Sequence, residues 1–439
     1  MCALIGLCLF LFVGNSFGQD SAMATKIGAY LNPLIEMNAW SGAIGIYKDG
    51  APIFENSYGL ANREWNIKNS IHGRFRIASV SKVFTEVAVL KLVEDGKLKI
   101  DDPLSHFIAD YPRGTEITIG HLINHTSGIP HLNSYPNYNE LIKFDYSLNE
   151  IIDLFKNKKL DFNPGKKYSY SNSGYVLLAY IIERISQKSY GSYLKETILD
   201  PLKMTNTGVD DTSEILPNRV SGYMFDANAE LTNADFVNMD IKIGGGSLYS
   251  SLVDLALFTN ALVSEKLLTK TSLELLPNIV GNAREKIFSA NGRVQGFCHQ
   301  ITHKYHDGVT VIVLGNHYSN IALPISDAVY TIFKGEEVAA PENYFSQKKD
   351  IHPDDLKKYV GIYDFGFGPI GEVEVRDNKL AYGNPNKTQR DVLIPIGDNR
   401  FFYPQSWVIL EFEDLKGQEF KTLNWVMGEN KYPAEKMSD

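Results

Sequence analysis

The chain has 439 residues, more than one domain usually holds, so one large and one small domain, or two of middling size, are expected. With 44% hydrophobic and 22% charged residues the composition is that of a globular protein, which argues against a fibrous or disordered chain. A net charge of -9 without a basic run argues against nucleic acid as a partner, because phosphate binding needs a basic face.

At the N-terminus residues 3–13 are apolar but too few to span a bilayer, and small residues follow at Ser16 and Gly18. The pattern reads as a cleaved secretory signal over residues 1–18 with Gln19 as the first mature residue, although no Lys or Arg precedes Lys26. Cys8 raises a lipoprotein alternative, against which Leu7 is large for the position before a lipidated cysteine. No later apolar run approaches the ~20 residues of a spanning helix, so a secreted or periplasmic protein without a stable membrane span is expected. Removal of the signal leaves Cys298 as the one cysteine, which precludes an intrachain disulfide.

Residues 41–47 and 52–58 flank a turn containing Asp49-Gly50, the pattern of a β-hairpin. From Ser79 to Val93 apolar residues recur at helical spacing, and Gly96 follows as a C-cap. A short helix is expected over 118–125, and residues 131–143 read as a loop able to overhang a site. Residues 168–174 form a small-residue turn before a periodic helix over 175–186, and an irregular stretch runs from 200 to 243. Gly244-Gly245-Gly246 leads into a helix over 252–263, strands follow at 296–301 and 309–314, and a helix covers 323–333. Strands at both ends with helices between predict an α+β domain over 19–338, an antiparallel sheet flanked by helices plus a helical subdomain. Residues 339–350 are charged and breaker-rich, as in a linker, and short alternating strands over 351–439 predict a small all-β domain.

The chemistry is concentrated at the start of the 79–93 helix. Ser79 lies three residues before Lys82, so the two side chains share a helix face one turn apart. The seryl oxygen would sit where free N–H groups and the helix dipole favour negative charge. A serine is a weak nucleophile until a base takes its proton, and a desolvated lysine, its pKa lowered by burial, can be that base. Ser81 competes by proximity but points elsewhere.

Residues 75–82, Leu122 through Pro130, Tyr170-Ser171-Asn172-Ser173-Gly174-Tyr175, and Ser247 through Ser251 followed by Asp254-Leu255 occur in the order found in the serine β-lactamase and penicillin-binding-protein superfamily. About residues 35–335 resemble the branch holding class C β-lactamases, D-alanyl-D-alanine carboxypeptidases, D-aminopeptidases and related esterases, and the C-terminal part resembles the small β-barrel appended to many members. The resemblance implies that Ser79 is the nucleophile and Lys82 its partner. It further implies that Tyr170 shuttles protons, with a phenol pKa lowered by nearby cations, and that Asn172 holds Lys82 and the substrate amide. The family's third motif, Lys-Thr-Gly or His-x-Gly, falls by register from Gly296-Phe297 on Ala290-Asn291-Gly292, where the cation is missing. Asn291 and Gly292 would still line the substrate site, and the backbone N–H groups of Ser79 and Arg293 would form the oxyanion hole.

Other patterns carry less. His306-Asp307-Gly308 spells His-x-Gly but sits at a strand-to-strand turn, and Lys270-Thr271-Ser272 lacks the glycine. Gly14 through Gly18 imitates a nucleophile elbow inside the signal. Cys298, His299, His303 and His306, like His121 with His125, suggest zinc only by composition, because the strand and helix geometry leaves each set incomplete. The expectation is therefore a serine hydrolase working through an acyl-enzyme on Ser79, on an ester, an amide or D-amino-acid peptide, or a β-lactam, with neither metal nor cofactor. The alternative is a catalytically degenerate protein that binds or senses cell-wall fragments, for which the missing cation at Ala290 is the support.

Overall fold

The computed structural model describes residues 16–282, 285–366, 370–385, 390–428 and 430–437, with side chains from residue 22 onward. Most of the expected signal, residues 1–15, lies outside the described residues, and the backbone from Ser16 begins helix α1 (Ser16–Glu36). Among the described residues no helix is long and apolar enough to cross a membrane.

The expected antiparallel sheet is present. Its strands are β1 (Gly42–Lys48), β2 (Ala51–Tyr58), β3 (Ile279–Val280), β4 (Ile287–Val294), β5 (Phe297–Lys304) and β6 (Val309–Gly315), in the spatial order β3-β4-β5-β6-β1-β2. Side chains alternate across a strand, so both faces of β1 and β6 must be covered for such apolar runs to be stable. On one face Ile44, Ile46, Val311 and Val313 pack against Ile27 and Leu31 of α1 and Ile325 and Val329 of α5 (Ala322–Phe333). On the other, Ala43, Ile312 and Leu314 join the larger core built by α2 (Ser81–Glu94), α3 (Asn172–Ser186) and α4 (Leu252–Val263).

Two expectations are refined. The helix predicted from Ser79 begins as a 3₁₀ turn, Ala78–Val80, and becomes α-helical at Ser81. Ala78 has φ +50°, a conformation costly for a residue with a Cβ, which separates the turn from the strand Phe75–Arg76 before it. The loop expected over 131–143 contains the short helical turns Leu132–Ser134 and Tyr138–Leu141, held by the buried Leu132 and Tyr138.

Beyond residue 360 the described chain forms a nine-stranded antiparallel sheet from Gly361–Asp364 to Asn430–Lys436. Its two edge strands, Asp391–Val392 and Ile394–Gly397, are separated in sequence by Leu393 alone, so the sheet curls until it nearly closes. Residues 339–350 have no regular structure, and their aromatics tie the two regions together: Phe345 lies 5.5 Å from Phe225 and 5.3 Å from Phe402, ring centre to ring centre. Backbone bonds cross the same junction, from Val392 N–H to the Ala227 carbonyl at 2.9 Å and from Asn320 N–H to the Ser406 carbonyl at 3.3 Å.

Candidate active site

Ser79 sits in the 3₁₀ turn at the foot of α2, half-buried, with its Oγ 2.7 Å from Tyr170 Oη and 3.5 Å from Lys82 Nζ. The competing serine, Ser81, is fully buried and its Oγ accepts the Leu248 N–H at 3.1 Å. That bond, with Ile77 N–H to the Leu248 carbonyl at 2.9 Å, fixes the Ala78–Val80 turn to strand Leu248–Ser250.

Lys82 Nζ donates to Asn172 Oδ1 at 2.7 Å and to the Gly245 carbonyl at 2.6 Å. Burial pushes its pKa down to about 7, so a neutral amine is available near neutral pH. One turn along α2, Glu86 is buried as well, and burial pushes its pKa up to about 8. The tertiary fold supplies Gly245, a contact that the sequence signals only as the glycine run 244–246.

Tyr170 and Asn172 arrive on the turn that opens α3. Two histidines hold that turn by accepting backbone N–H bonds: His125 Nδ1 from Ser171 at 3.1 Å and His131 Nδ1 from Asn172 at 3.1 Å. Asn172 Nδ2 donates to Asn133 Oδ1 at 2.9 Å. The His125 ring lies 4.5 Å from the Tyr170 ring, and burial, with Lys82 and His131 nearby, pushes its pKa down to about 3, so it is neutral. The expectation of a lowered tyrosine pKa is overturned. Burial pushes Tyr170 up to about 12, with Lys82 Nζ 4.9 Å from the ring centre. A phenol with so raised a pKa is neutral near pH 7, and either Tyr170 or Ser79 can donate in the bond between their oxygens.

Ala290-Asn291-Gly292, the expected third motif, lies on β4, whose outer edge pairs among the described residues only with the short β3. Ser289 N–H points out of that edge to the Asn278 carbonyl at 2.9 Å, and backbone groups alternate along a strand, so the N–H groups of Asn291 and Arg293 face the same edge. Gly292 is pressed against the Ala78–Val80 turn: a Cβ there would lie 2.3 Å from the Ile77 carbonyl oxygen and 3.2 Å from Ser79 N. Ala290, on the same face, is buried in the core, so this position offers no side chain to the cleft. The exposed cation of the strand is Arg293, whose guanidinium donates to Asn320 Oδ1 and lies 5.0 Å from the Tyr318 ring centre.

Ser79, Tyr170, Asn172, Asn291, Gly292 and Arg293 together line a cleft of about 550 Å³, with Lys82 beneath. The histidines that composition alone would suggest for zinc have local partners: His121 Nδ1 accepts the Thr118 N–H at 3.2 Å, His299 Nε2 meets the Arg76 carbonyl at 2.7 Å, and His303 Nδ1 meets Thr310 Oγ1 at 2.9 Å. His306 pairs with Asp307 at the β5–β6 turn, outside the cleft. Two wall residues, Trp425 and Met427, come from the C-terminal sheet, and nothing in the local sequence signals them.

Residues 33–318 match the family model described as Beta-lactamase. Penicillin-binding protein 4* of Bacillus subtilis (strain 168) is 28% identical over 415 residues, 86% of this chain and 91% of that protein. The octameric penicillin-binding protein homologue from Pyrococcus abyssi aligns with a TM-score of 0.62 and 23% identity over 95% of this chain and 100% of its own. The D-amino acid amidase from Ochrobactrum anthropi SV3 in complex with D-phenylalanine aligns with a TM-score of 0.62 and 22% identity over 72% of this chain and 99% of its own. At these identities the two structural likenesses establish the fold alone.

Proposed function

The chain belongs to the β-lactamase family of serine hydrolases, and from that premise we propose that it cleaves an ester, a D-amino-acid amide or peptide, or a β-lactam through an acyl-enzyme on Ser79. The observation that carries the reading is the placement of Ser79 Oγ between Tyr170 Oη at 2.7 Å and Lys82 Nζ at 3.5 Å, with Lys82 poised near pKa 7.

Neutral Lys82 takes the Ser79 proton as Oγ adds to the substrate carbonyl carbon. The N–H groups of Ser79 and Arg293 hold the resulting oxyanion at the free edge of β4. Tyr170 then gives its proton to the leaving group as the bond to carbon breaks, and the Lys82 ammonium restores it. Water releases the acyl group by the same relay in reverse, leaving Ser79 and Lys82 as they began. Asn172 and the Gly245 carbonyl hold the lysine in place through both halves. A substrate carboxylate would meet Arg293, which supplies the cation that Ala290 does not; its guanidinium at the cleft wall supports this role.

The test is labelling of the purified protein with a fluorophosphonate and a fluorescent penicillin, read by intact mass and peptide mapping. An adduct on Ser79 that is absent from Ser79→Ala is expected. No adduct from either reagent on folded protein, together with undiminished binding of cell-wall fragments, would overturn the proposal in favour of a binding protein. Export belongs to the same proposal, supported by the apolar run over residues 3–13, and N-terminal sequencing of the exported protein should begin at Gln19.

A further inference from the structure

A second cavity, of about 1030 Å³, lies between the hydrolase body and the C-terminal sheet. Arg293, Tyr318 and Trp425 line both this cavity and the Ser79 cleft, so the two spaces adjoin at these three residues. One side comes from the body, with Phe236, Lys143 and Gln295; the other comes from the sheet, with Phe365, Tyr382, Tyr403 and Tyr432.

The sheet side is an aromatic cage. The Trp425 ring centre lies 5.9 Å from Tyr382, 6.0 Å from Tyr403 and 6.2 Å from Phe365, and Tyr382 and Tyr403 are 5.4 Å apart. Trp425 and Met427 stand two residues apart on strand Glu419–Met427, on the face whose Leu423 is in the sheet's own core. That face therefore runs from the core into the cleft. Opposite it on the body Phe236 is 59% exposed, and on the sheet's own side Tyr432 is 37% exposed, so both present apolar surface at the mouth of the cavity. Such surface is costly in water unless a ligand covers it.

We infer that this cavity is an extended subsite for the substrate of Ser79, holding a bulky apolar arm, an alkyl chain or an aryl group, that reaches past Arg293 into the cage. The occupant is the substrate itself because the cavity adjoins the Ser79 cleft at the three residues that line both. The carboxylate-binding role of Arg293 and the apolar arm are then successive parts of one recognition path. The C-terminal sheet is thereby part of the enzyme's specificity, and the inference rests on the acyl-enzyme reading given above.

Two measurements separate the subsite from the chemistry. The first is kcat/KM for p-nitrophenyl acetate, butyrate, octanoate and 4-phenylbutyrate with the wild type and with Phe236→Ser/Tyr432→Ser, substitutions at exposed positions that spare the core. Each buried methylene is worth about fourfold, so octanoate and phenylbutyrate should exceed acetate by roughly tenfold or more, and the double variant should lose most of that ratio. The second is binding of octanamide and 4-phenylbutyramide to Ser79→Ala, followed by calorimetry and by tryptophan fluorescence, with the fluorescence change lost in Ser79→Ala/Trp425→Phe. Ester turnover without chain-length preference, together with no amide binding, would overturn the subsite while leaving the hydrolase intact. Amide binding to Ser79→Ala when the wild type turns over no ester would sustain the subsite and overturn the hydrolase. Binding of a hexose oligomer in the cage with no binding of either amide would overturn the apolar assignment.

Discussion

Tyr175 Oη lies 2.5 Å from Glu86 Oε1, in the core one helical turn beyond Lys82. Burial raises Glu86 to about 8 and lowers Lys82 to about 7, and the charge of each opposes the shift of the other. Glu86 touches neither Ser79 nor the cleft, so any influence of its charge on the chemistry runs through Lys82.

Because burial keeps Glu86 protonated up to about pH 8, it carries little charge where Lys82 titrates, near 7, and Glu86→Gln reproduces that neutral form. The acid limb of the kcat/KM profile of Glu86→Gln should therefore lie where it does in the wild type. A limb displaced to lower pH would show that Glu86 is ionised there and supports the Lys82 ammonium.

The same pair sets opposite trends in stability. Glu86, whose folded pKa is raised, contributes stability present below its ordinary carboxylate range and lost as pH rises through about 8. Lys82, whose folded pKa is depressed, contributes stability present above the ordinary lysine range and lost as pH falls through about 7. Glu86→Gln removes the first trend, so its melting temperature relative to wild type should be more favourable above pH 8 than below it, as differential scanning fluorimetry across pH would record.

Ser79→Ala and Ser81→Ala should part company. The first should abolish covalent labelling with a nearly unchanged melting temperature, because Ser79 faces the cleft. The second leaves the Leu248 N–H buried without its acceptor, which costs about 1–3 kcal/mol, and should lower the melting temperature while labelling survives. The reverse pattern would place the nucleophile at Ser81.

Gly292→Ala puts a methyl 2.3 Å from the Ile77 carbonyl oxygen, a contact that only backbone movement relieves. The strand edge should shift away from Ser79 and take the Arg293 N–H with it. Loss of one oxyanion donor costs roughly 10²–10³ in kcat, and a fall of that size with KM little changed is expected from steady-state kinetics.

Arg293→Gln should spare neutral short-chain esters and penalise nitrocefin. A charge-assisted hydrogen bond is worth about 1.5–3 kcal/mol, so the nitrocefin-to-ester efficiency ratio should fall about one to two orders of magnitude. Ala290→Lys places an ammonium in the core and should lower the melting temperature without raising that ratio. A raised ratio for Ala290→Lys would return the substrate cation to the position that the family register indicates.

Much of this was legible in the chain itself because it is local. The Ser79-to-Lys82 spacing is a property of one helix turn, the Asp49-Gly50 hairpin of two residues' conformational preference, and the period-two and period-3.6 patterns of which faces must leave water. Ordered motifs carried the family, and with it Tyr170 and Asn172. What the sequence could not decide depends on contacts between distant segments. Whether Ala290 or Arg293 meets the cleft follows from the pleat of β4 and the strand it pairs with; the Tyr170 pKa follows from what surrounds the phenol; and Trp425 joins the wall of the Ser79 cleft because a curled sheet docks on the body through Phe345 and Ala227. Periodicity states that a face is buried. Which partner buries it, and what charge or solvent remains there, is fixed only when the tertiary packing brings those segments together.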